Sequence, residues 1–184
     1  TVSSLYSVKS EQATMLSFDT YNYLVHYFGQ PQGSMADDPN GTLGGDYEFV
    51  ISDATADRIE LKGKKYGNRI VMKAFSADQT WKQYLTRIKK VEDDAFFYEY
   101  DLRMDGLYTG QMLRSNYTFI VTYYDEVGKV HQKTVPFMFT TDGMRFHEPV
   151  TIDGQTMQNF VWKNEEISFV CTDEGAKGVK VTGI

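Results

Sequence analysis

One cysteine, four prolines and three histidines are spread over 184 residues. A lone Cys171 excludes an internal disulfide, so burial and hydrogen bonding must hold the chain together. In its strand-like setting Cys171 reads as a small buried hydrophobe rather than a reactive thiol. It leaves the compartment open, because exported proteins need not use disulfides. No apolar run is long enough to span a bilayer, and no signal-type apolar stretch is present. The chain begins at Thr1 rather than Met, which reads as a targeting segment removed or a start inside a longer protein. Basic charge is also scarce. Nineteen Lys and Arg face 25 Asp and Glu, a formal net charge of −6. General nucleic-acid binding is excluded, since it needs a positive field to displace phosphate counterions. Lys62, Lys64 and Lys65 are too short a cluster to track a phosphate backbone.

What the chain has in quantity is aromatic residues, 15% of the total, with 13 Tyr and 12 Phe. Together with many Val and Thr they favour strands, and a chain this aromatic offsets its ordering entropy by burial. The clearest stretch runs from Tyr117 to Val181. It alternates as short antiparallel strands cut by Glu126-Val127-Gly128, Asp142-Gly143 and Asp153-Gly154. Asp-Gly between β-rich runs is a strong hairpin signal, because both central residues of a type I′ turn need positive φ. Further turns fall at Lys163-Asn164-Glu165 and around Asp173 to Lys177.

The N-terminal part adds strands at Ser4–Lys9, Ala13–Phe18, Tyr47–Ser52, Asp57–Gly63 and Asn68–Phe75, the last two joined by Lys64-Lys65-Tyr66-Gly67. Between Asp19 and Phe28, Tyr21, Leu24, Val25 and Phe28 recur at helical spacing with Asp19 placed to cap, although the same Tyr and Val residues suit a strand. A short helix is expected there. Gly29 to Asp46, with five glycines, Pro31 and Pro39, reads as a long loop of the kind that is functional or mobile. Ser76 to Glu92 reads as an amphipathic helix. Ser76 and Gln79 form a capping box, Trp81, Tyr84, Leu85, Ile88 and Val91 form the stripe, and Lys89 and Lys90 complement the dipole in the last turn. Tyr98, Tyr100, Leu102 and Met104 then alternate with charged residues, and Gly106 and Gly110 break the chain. A faint echo aligns Phe18-Asp19-Thr20 and His26 with Phe139-Thr140-Thr141 and His147, 121 positions on. It also aligns residues 47–50 with 159–162, 59–61 with 167–169, and Gly67 with Gly175. Two similar β units would then flank the helix, and a partner for the strand at Tyr117 to Tyr124 would lie ahead of Thr1.

The expected fold is mainly β: about ten strands in an antiparallel meander, closed as a lipocalin-like barrel or stacked as a sandwich, with the Ser76–Glu92 helix packed on it. The organisation expected is a single β domain over 1–184: a first β unit over 1–75, the helix and a connecting strand over 76–114, and a second β unit over 115–184. Trp81 and Trp162 are expected in the core.

No pattern of residues carries chemistry. His26, His131 and His147 lack zinc-site spacing and read as surface or strand-end histidines. Asp37-Asp38-Pro39-Asn40-Gly41 looks like part of a calcium loop, but Gly41 as position six puts Ala36 and Tyr47 where carboxylates are required, leaving a solvated turn. Gly63-Lys64-Lys65 is not a phosphate loop and reads as an edge-protecting basic turn. No G-x-S-x-G elbow occurs. The sequons at Asn40 and Asn116 matter only in a glycosylating host. Catalytic residues, metal ligands and cofactors are therefore expected to be none, and ligand-contacting residues cannot be named.

Several segments carry a family resemblance. Leu16-Ser17-Phe18-Asp19-Thr20-Tyr21-Asn22, His26-Tyr27-Phe28 with Pro31, Gly44-Gly45-Asp46-Tyr47-Glu48-Phe49, Leu61-Lys62-Gly63-Lys64-Lys65, Gly143-Met144-Arg145-Phe146 and Trp162 resemble an uncharacterised family of secreted Bacteroidetes lipoproteins, a domain of unknown function. The resemblance implies an exported protein of the periplasm or cell surface, lipid-anchored to the outer membrane and associated with other outer-membrane nutrient-uptake proteins. It supplies no catalytic residues, and the lipobox cysteine is not in this chain. It makes the Gly29 to Asp46 loop and the aromatic strands the first places to look for a ligand. The function expected is a non-enzymatic binding protein holding a saccharide, peptide or small apolar molecule in a cup of Tyr and Phe. The alternatives are a structural or protein-interaction module, with a flat exposed apolar patch or an open strand edge and no pocket, and, with least support, a hydrolase.

Overall fold

A computed structural model describes residues 3–10, 12–31, 42–125 and 127–184. The chain divides into two compact units, Thr1–Asp78 and Gln79–Ile184.

The N-terminal unit is a five-stranded antiparallel sheet in sequence order. Its strands are β1 (Tyr6–Ser10), β2 (Thr14–Phe18), β3 (Glu48–Ala54), β4 (Arg58–Gly63) and β5 (Arg69–Lys73). Register puts Val8, Leu16, Phe49, Leu61 and Ile70 on one face and Lys9, Glu60, Lys62 and Arg69 on the other. One side is thus mainly apolar, while the other mixes those charges with Met15, Val50 and Val71, and a register shift between Ile51 and Asp53 interrupts the alternation. Helix α1 (Tyr23–Gly29) lies between β2 and β3. A helix is what the spacing predicts, but its cap is Asn22, whose Oδ1 accepts from the Leu24 amide at 3.0 Å. Asp19 does not cap. It accepts from Lys9 Nζ at 3.2 Å, which leaves Asn22, the next capping-type side chain, to take the role.

The C-terminal unit is a closed eight-stranded barrel. It comprises β6 (Glu99–Met104), β7 (Leu107–Ser115), β8 (Thr118–Tyr124), β9 (Val130–Phe139), β10 (Gly143–Ile152), β11 (Gln155–Lys163), β12 (Ser168–Cys171) and β13 (Val179–Gly183). Closure is made by β13 on β6, from Val179 opposite Met104 to Gly183 opposite Tyr100. The barrel expectation is met and the sandwich is not. Thirteen strands are present among the described residues, against about ten expected, partly because the break expected at Gly106 and Gly110 is a hairpin. Asp105 and Gly106 have φ of 50° and 83°, the same reversal as Asp153-Gly154 at 46° and 76°. Gly110 lies inside β7.

Asp142-Gly143 behaves otherwise. Gly143 opens β10 instead of turning the chain, and a Cβ there would sit 1.9 Å from the Phe160 carbonyl oxygen. The reversal is made by Thr140 to Asp142, with the Thr140 amide on the Gly143 carbonyl at 2.9 Å. Glu126 lies outside the described residues, while Gly128 turns the same hairpin at φ 79°.

Helix α2 runs from Trp81 to Asp94, later than the expected Ser76–Glu92. Its capping box is Thr80 with Gln83, not Ser76 with Gln79: Thr80 Oγ1 accepts from the Gln83 amide at 3.3 Å, and Gln83 Oε1 accepts from the Thr80 amide at 2.9 Å. Both boxes are present in the sequence, and the one adjoining the apolar stripe is used. Lys89 and Lys90 consequently miss the last turn and pair with Asp93 and Asp94 at 3.0 and 2.6 Å. Only the C-terminal half of the stripe is buried: Val91 and the cap residue Ala95 join the barrel core, with Ile88 against it. Trp81, expected in the core, is 67% exposed because it stands at the helix start, away from that contact. Trp162 is half-buried against the core, its ring 4.8 Å from Phe169.

The echoed segments fall on β2 and β9, β3 and β11, and β4 and β12. β1 pairs with β2 as β8 pairs with β9, so β1 takes the place beside β2 that β8 takes beside β9. Between β9 and β11 stands β10. Between β2 and β3 stands α1.

Candidate functional site

The barrel interior is filled. Tyr100, Leu102, Met112, Phe119, Val121, Phe137, Met144, Phe146, Met157 and Phe169 are at most 2% exposed. The Phe119 and Phe137 rings stack at 4.3 Å, and Tyr100 meets Phe119 edge-on at 5.5 Å. An eight-stranded barrel is just narrow enough for side chains to fill it, and here Phe and Met do so. The mouth is closed by Arg114, whose guanidinium lies 5.0 to 5.9 Å from the ring centroids of Phe96, Phe137 and Phe139. Arg114 also lies 3.6 Å from Glu92, which accepts from the Tyr117 hydroxyl at 3.1 Å. The aromatic cup expected of a binding barrel is therefore core.

Clefts of about 520 and 330 Å³ run along α2 in the C-terminal unit, and a further concave site lies in the N-terminal unit, at the two ends of the Gly29–Asp46 loop. A cleft of about 340 Å³ is lined by Gly29, Gly45, Asp46, Tyr47, Glu48, Lys64 and Lys65. Residues 32–41 of that loop, including the Asp37–Gly41 segment and the Asn40 sequon, lie outside the described residues. The returning end of the loop docks on α1: the Leu43 and Gly45 amides both donate to the Phe28 carbonyl, at 3.1 and 2.9 Å. Glycine is required at 45, because a Cβ would stand 2.3 Å from Phe28 Cβ.

Asp46 builds the cleft wall. Its Oδ1 accepts from the Lys65 and Tyr66 amides at 2.8 and 3.0 Å, and its Oδ2 from the Asn68 amide and Nδ2 at 3.2 and 2.8 Å. Burial pushes its carboxyl pKa up, but the Tyr66 and Lys65 amides and Asn68 together outweigh that, holding it below the ordinary 3.8. Asp46 is thus ionised and fully occupied with folding the 64–68 turn. Tyr47 is 42% exposed and its ring is backed by His26, stacked at 4.8 Å and 15°, with Tyr21 on His26 at 5.4 Å. His26 is fixed by the Asn22 amide, which donates to Nδ1 at 3.0 Å. Beside the Tyr47 ring, Lys64 Nζ lies 3.4 Å from Glu48 Oε2. An aromatic platform next to a carboxylate and an ammonium suits a ligand with one apolar face and a rim of hydroxyls.

The other two histidines lie elsewhere. His131 Nε2 is 2.9 Å from Asp125 Oδ2, and this bond, with the Lys129 amide, holds the Asp125 carboxyl below its ordinary value. His147 is exposed on β10. Among the described residues no three His, Cys, Asp or Glu side chains are grouped to hold a metal ion. Cys171 is buried and its thiol pKa is pushed up to about 11, chiefly by desolvation. Asp173 mirrors Asp46 at the corresponding turn of the barrel, accepting from the Asn159 amide and Nδ2 at 2.8 and 2.7 Å. Neither aspartate stood out in the sequence. The available signal was an acidic residue directly after a glycine pair, at Gly44-Gly45-Asp46, which marks a turn but not its partner.

A family described as a domain of unknown function (DUF4302) matches residues 1–164. The match spans the sheet unit and the barrel as far as the end of β11. No curated protein and no solved structure matches the chain.

Proposed function

The chain belongs to the DUF4302 family, and from that premise we propose that it is a non-enzymatic binding module that takes a saccharide in the cleft of its N-terminal unit. The observation that carries this reading is the Tyr47 ring backed by His26 beside the Glu48–Lys64 pair. A sugar ring can lay its C–H face on Tyr47 while its hydroxyls bond to Glu48 and Lys64. The packing of Phe119, Phe137 and Tyr100 against one another inside the barrel supports the cleft as the place to look. A binding role suits the site better than hydrolysis, because both Asp46 oxygens already accept from the Lys65, Tyr66 and Asn68 groups of the turn. The segment resemblance extends the proposal: an exported cell-envelope protein, lipid-anchored at the outer membrane and working beside uptake proteins. Among the described residues the outer edges of β1 and β5 are unpaired, which favours a second reading, a protein-interaction module.

The test is a thermal-shift and calorimetric screen against neutral and acidic oligosaccharides, with Tyr47→Leu and Lys64→Gln alongside. A ligand at 100 times its Kd stabilises the protein by about 2.7 kcal/mol, a readable shift, and both variants lose it. A ligand that binds both variants as well as the parent, or no shift across the panel, sinks the cleft as a saccharide site.

A further inference from the structure

Among the described residues, β5 pairs with β4 alone and its outer edge is open. All five of its residues, Arg69 to Lys73, are exposed. An open edge is a template for another strand, and its side chains decide which strand fits. The hairpin over residues 58–73 carries Arg58, Lys62, Lys64, Lys65, Arg69 and Lys73 against Glu60 alone, in a chain of net charge −6. Register places Arg58 opposite Lys73 and Lys62 opposite Arg69 on one face. Glu60 is bonded by Arg58 and by Arg69, the latter at 3.0 Å, while Lys62 and Lys73 make no ion pair among the described residues. The other face of β5 presents Ile70 and Met72. Ile70 also lines a groove of about 300 Å³ with Leu24, Phe28 and Leu43.

These features disfavour a second copy of the chain as occupant. Pairing β5 antiparallel with itself about Val71 sets Arg69 against Lys73 twice, and like charges directly opposite destabilise a sheet. The complement is a strand with carboxylates at its ends and apolar residues between them. We propose that the β5 edge docks an extended acidic segment of another protein as a sixth strand. Its pattern is acidic–apolar–any–apolar–acidic, the carboxylates meet Arg69 and Lys73, and the apolar residue beside Ile70 enters the Leu24–Phe28–Leu43 groove. Main-chain pairing would supply affinity, and the charges and groove would supply selection. This inference does not depend on the saccharide cleft, whose lining shares no residue with β5.

The test is fluorescence anisotropy with labelled twelve-residue peptides carrying that five-residue pattern, its basic-ended counterpart, and the acidic peptide N-methylated at alternate residues. The acidic peptide binds saturably, the basic one about tenfold or more weaker, and N-methylation on the pairing edge abolishes binding. Lys73→Glu abolishes the charge preference, Arg69→Glu with Lys73→Glu reverses it, and Leu24→Ser weakens the acidic peptide without altering the edge. Equal binding of acidic and basic peptides, indifference to N-methylation, or no saturable binding at millimolar peptide would overturn the proposal. Equal binding to anionic vesicles and to the N-methylated peptide would overturn it too, as charge attraction without strand addition. A saccharide titration on the same protein reads the cleft separately, so either site can fail alone.

Discussion

Replacing Asp46 by Asn should loosen the N-terminal unit while removing little volume. The carboxylate accepts four hydrogen bonds, two on each oxygen. Asparagine keeps one acceptor oxygen and points an NH₂ at the two donors facing the other. Turning the Asn68 amide over can repair one of these, at the expense of its 2.6 Å bond to the Gly44 carbonyl. One to two buried donors then lose their acceptor, at about 1–3 kcal/mol each, and the remaining bonds lose their charge. The expected cost is about 2–4 kcal/mol. Trp81 and Trp162 both lie in the other unit, so tryptophan fluorescence is the wrong probe. Hydrogen exchange at the Lys65, Tyr66 and Asn68 amides reads the cage directly, and protection there should fall about 30- to 1000-fold. Gly63→Ala supplies a cross-check, because its Cβ would stand 1.9 Å from Asp46 Oδ2 and evict the same carboxylate. The two substitutions should therefore cost less together than their sum.

The pH dependence of the cage has a fixed sign. The folded pKa of Asp46 lies below its ordinary 3.8, so its contribution is complete above that value and is lost as pH falls through the folded one. The gap between parent and Asp46→Asn should narrow below about pH 4. Unchanged exchange at the three amides near neutral pH, or additive costs with Gly63→Ala, would refute the cage as a source of stability.

Three further outcomes follow from the barrel. Cys171, with its thiol at about 11, should resist iodoacetamide at pH 8 in the folded protein and react once urea unfolds it. Rapid native labelling would contradict its burial. Deleting residues 165–184 removes β12 and β13, and with them the strand that closes on β6 and the buried Phe169, Val179 and Val181. Near-UV circular dichroism and proteolysis should show an unfolded C-terminal unit, since the loss exceeds the ordinary stability of a domain, about 5–15 kcal/mol. Arg114→Ala should lower stability by about 2–3 kcal/mol, measured by urea unfolding followed at Trp162. It removes a packed side chain from between three phenyl rings and leaves Glu92 without its guanidinium.

The strands were legible in the sequence wherever alternation ran uninterrupted, as in Tyr100, Leu102 and Met104, because the side-chain period of a strand is local. The Asp153-Gly154 reversal was legible for the same reason: positive φ at two successive residues restricts composition at those residues alone. Asp105-Gly106 carried an identical signal and was hidden by Gly110, which breaks nothing once β8 lies beside it. Helix α2 was visible by its stripe, but the choice between the Ser76 and Thr80 boxes was settled by which one adjoins a buried face, and that face belongs to the barrel. Sequence alone thus determined a β-rich chain with two helices at roughly the observed places. Only tertiary structure decided that eight strands close while five stay open, that Phe and Met fill the barrel, that Trp81 faces solvent, and that Asp46 folds a turn nineteen residues away. Each of these depends on a partner distant in the chain, and composition near a residue does not specify what will be brought against it.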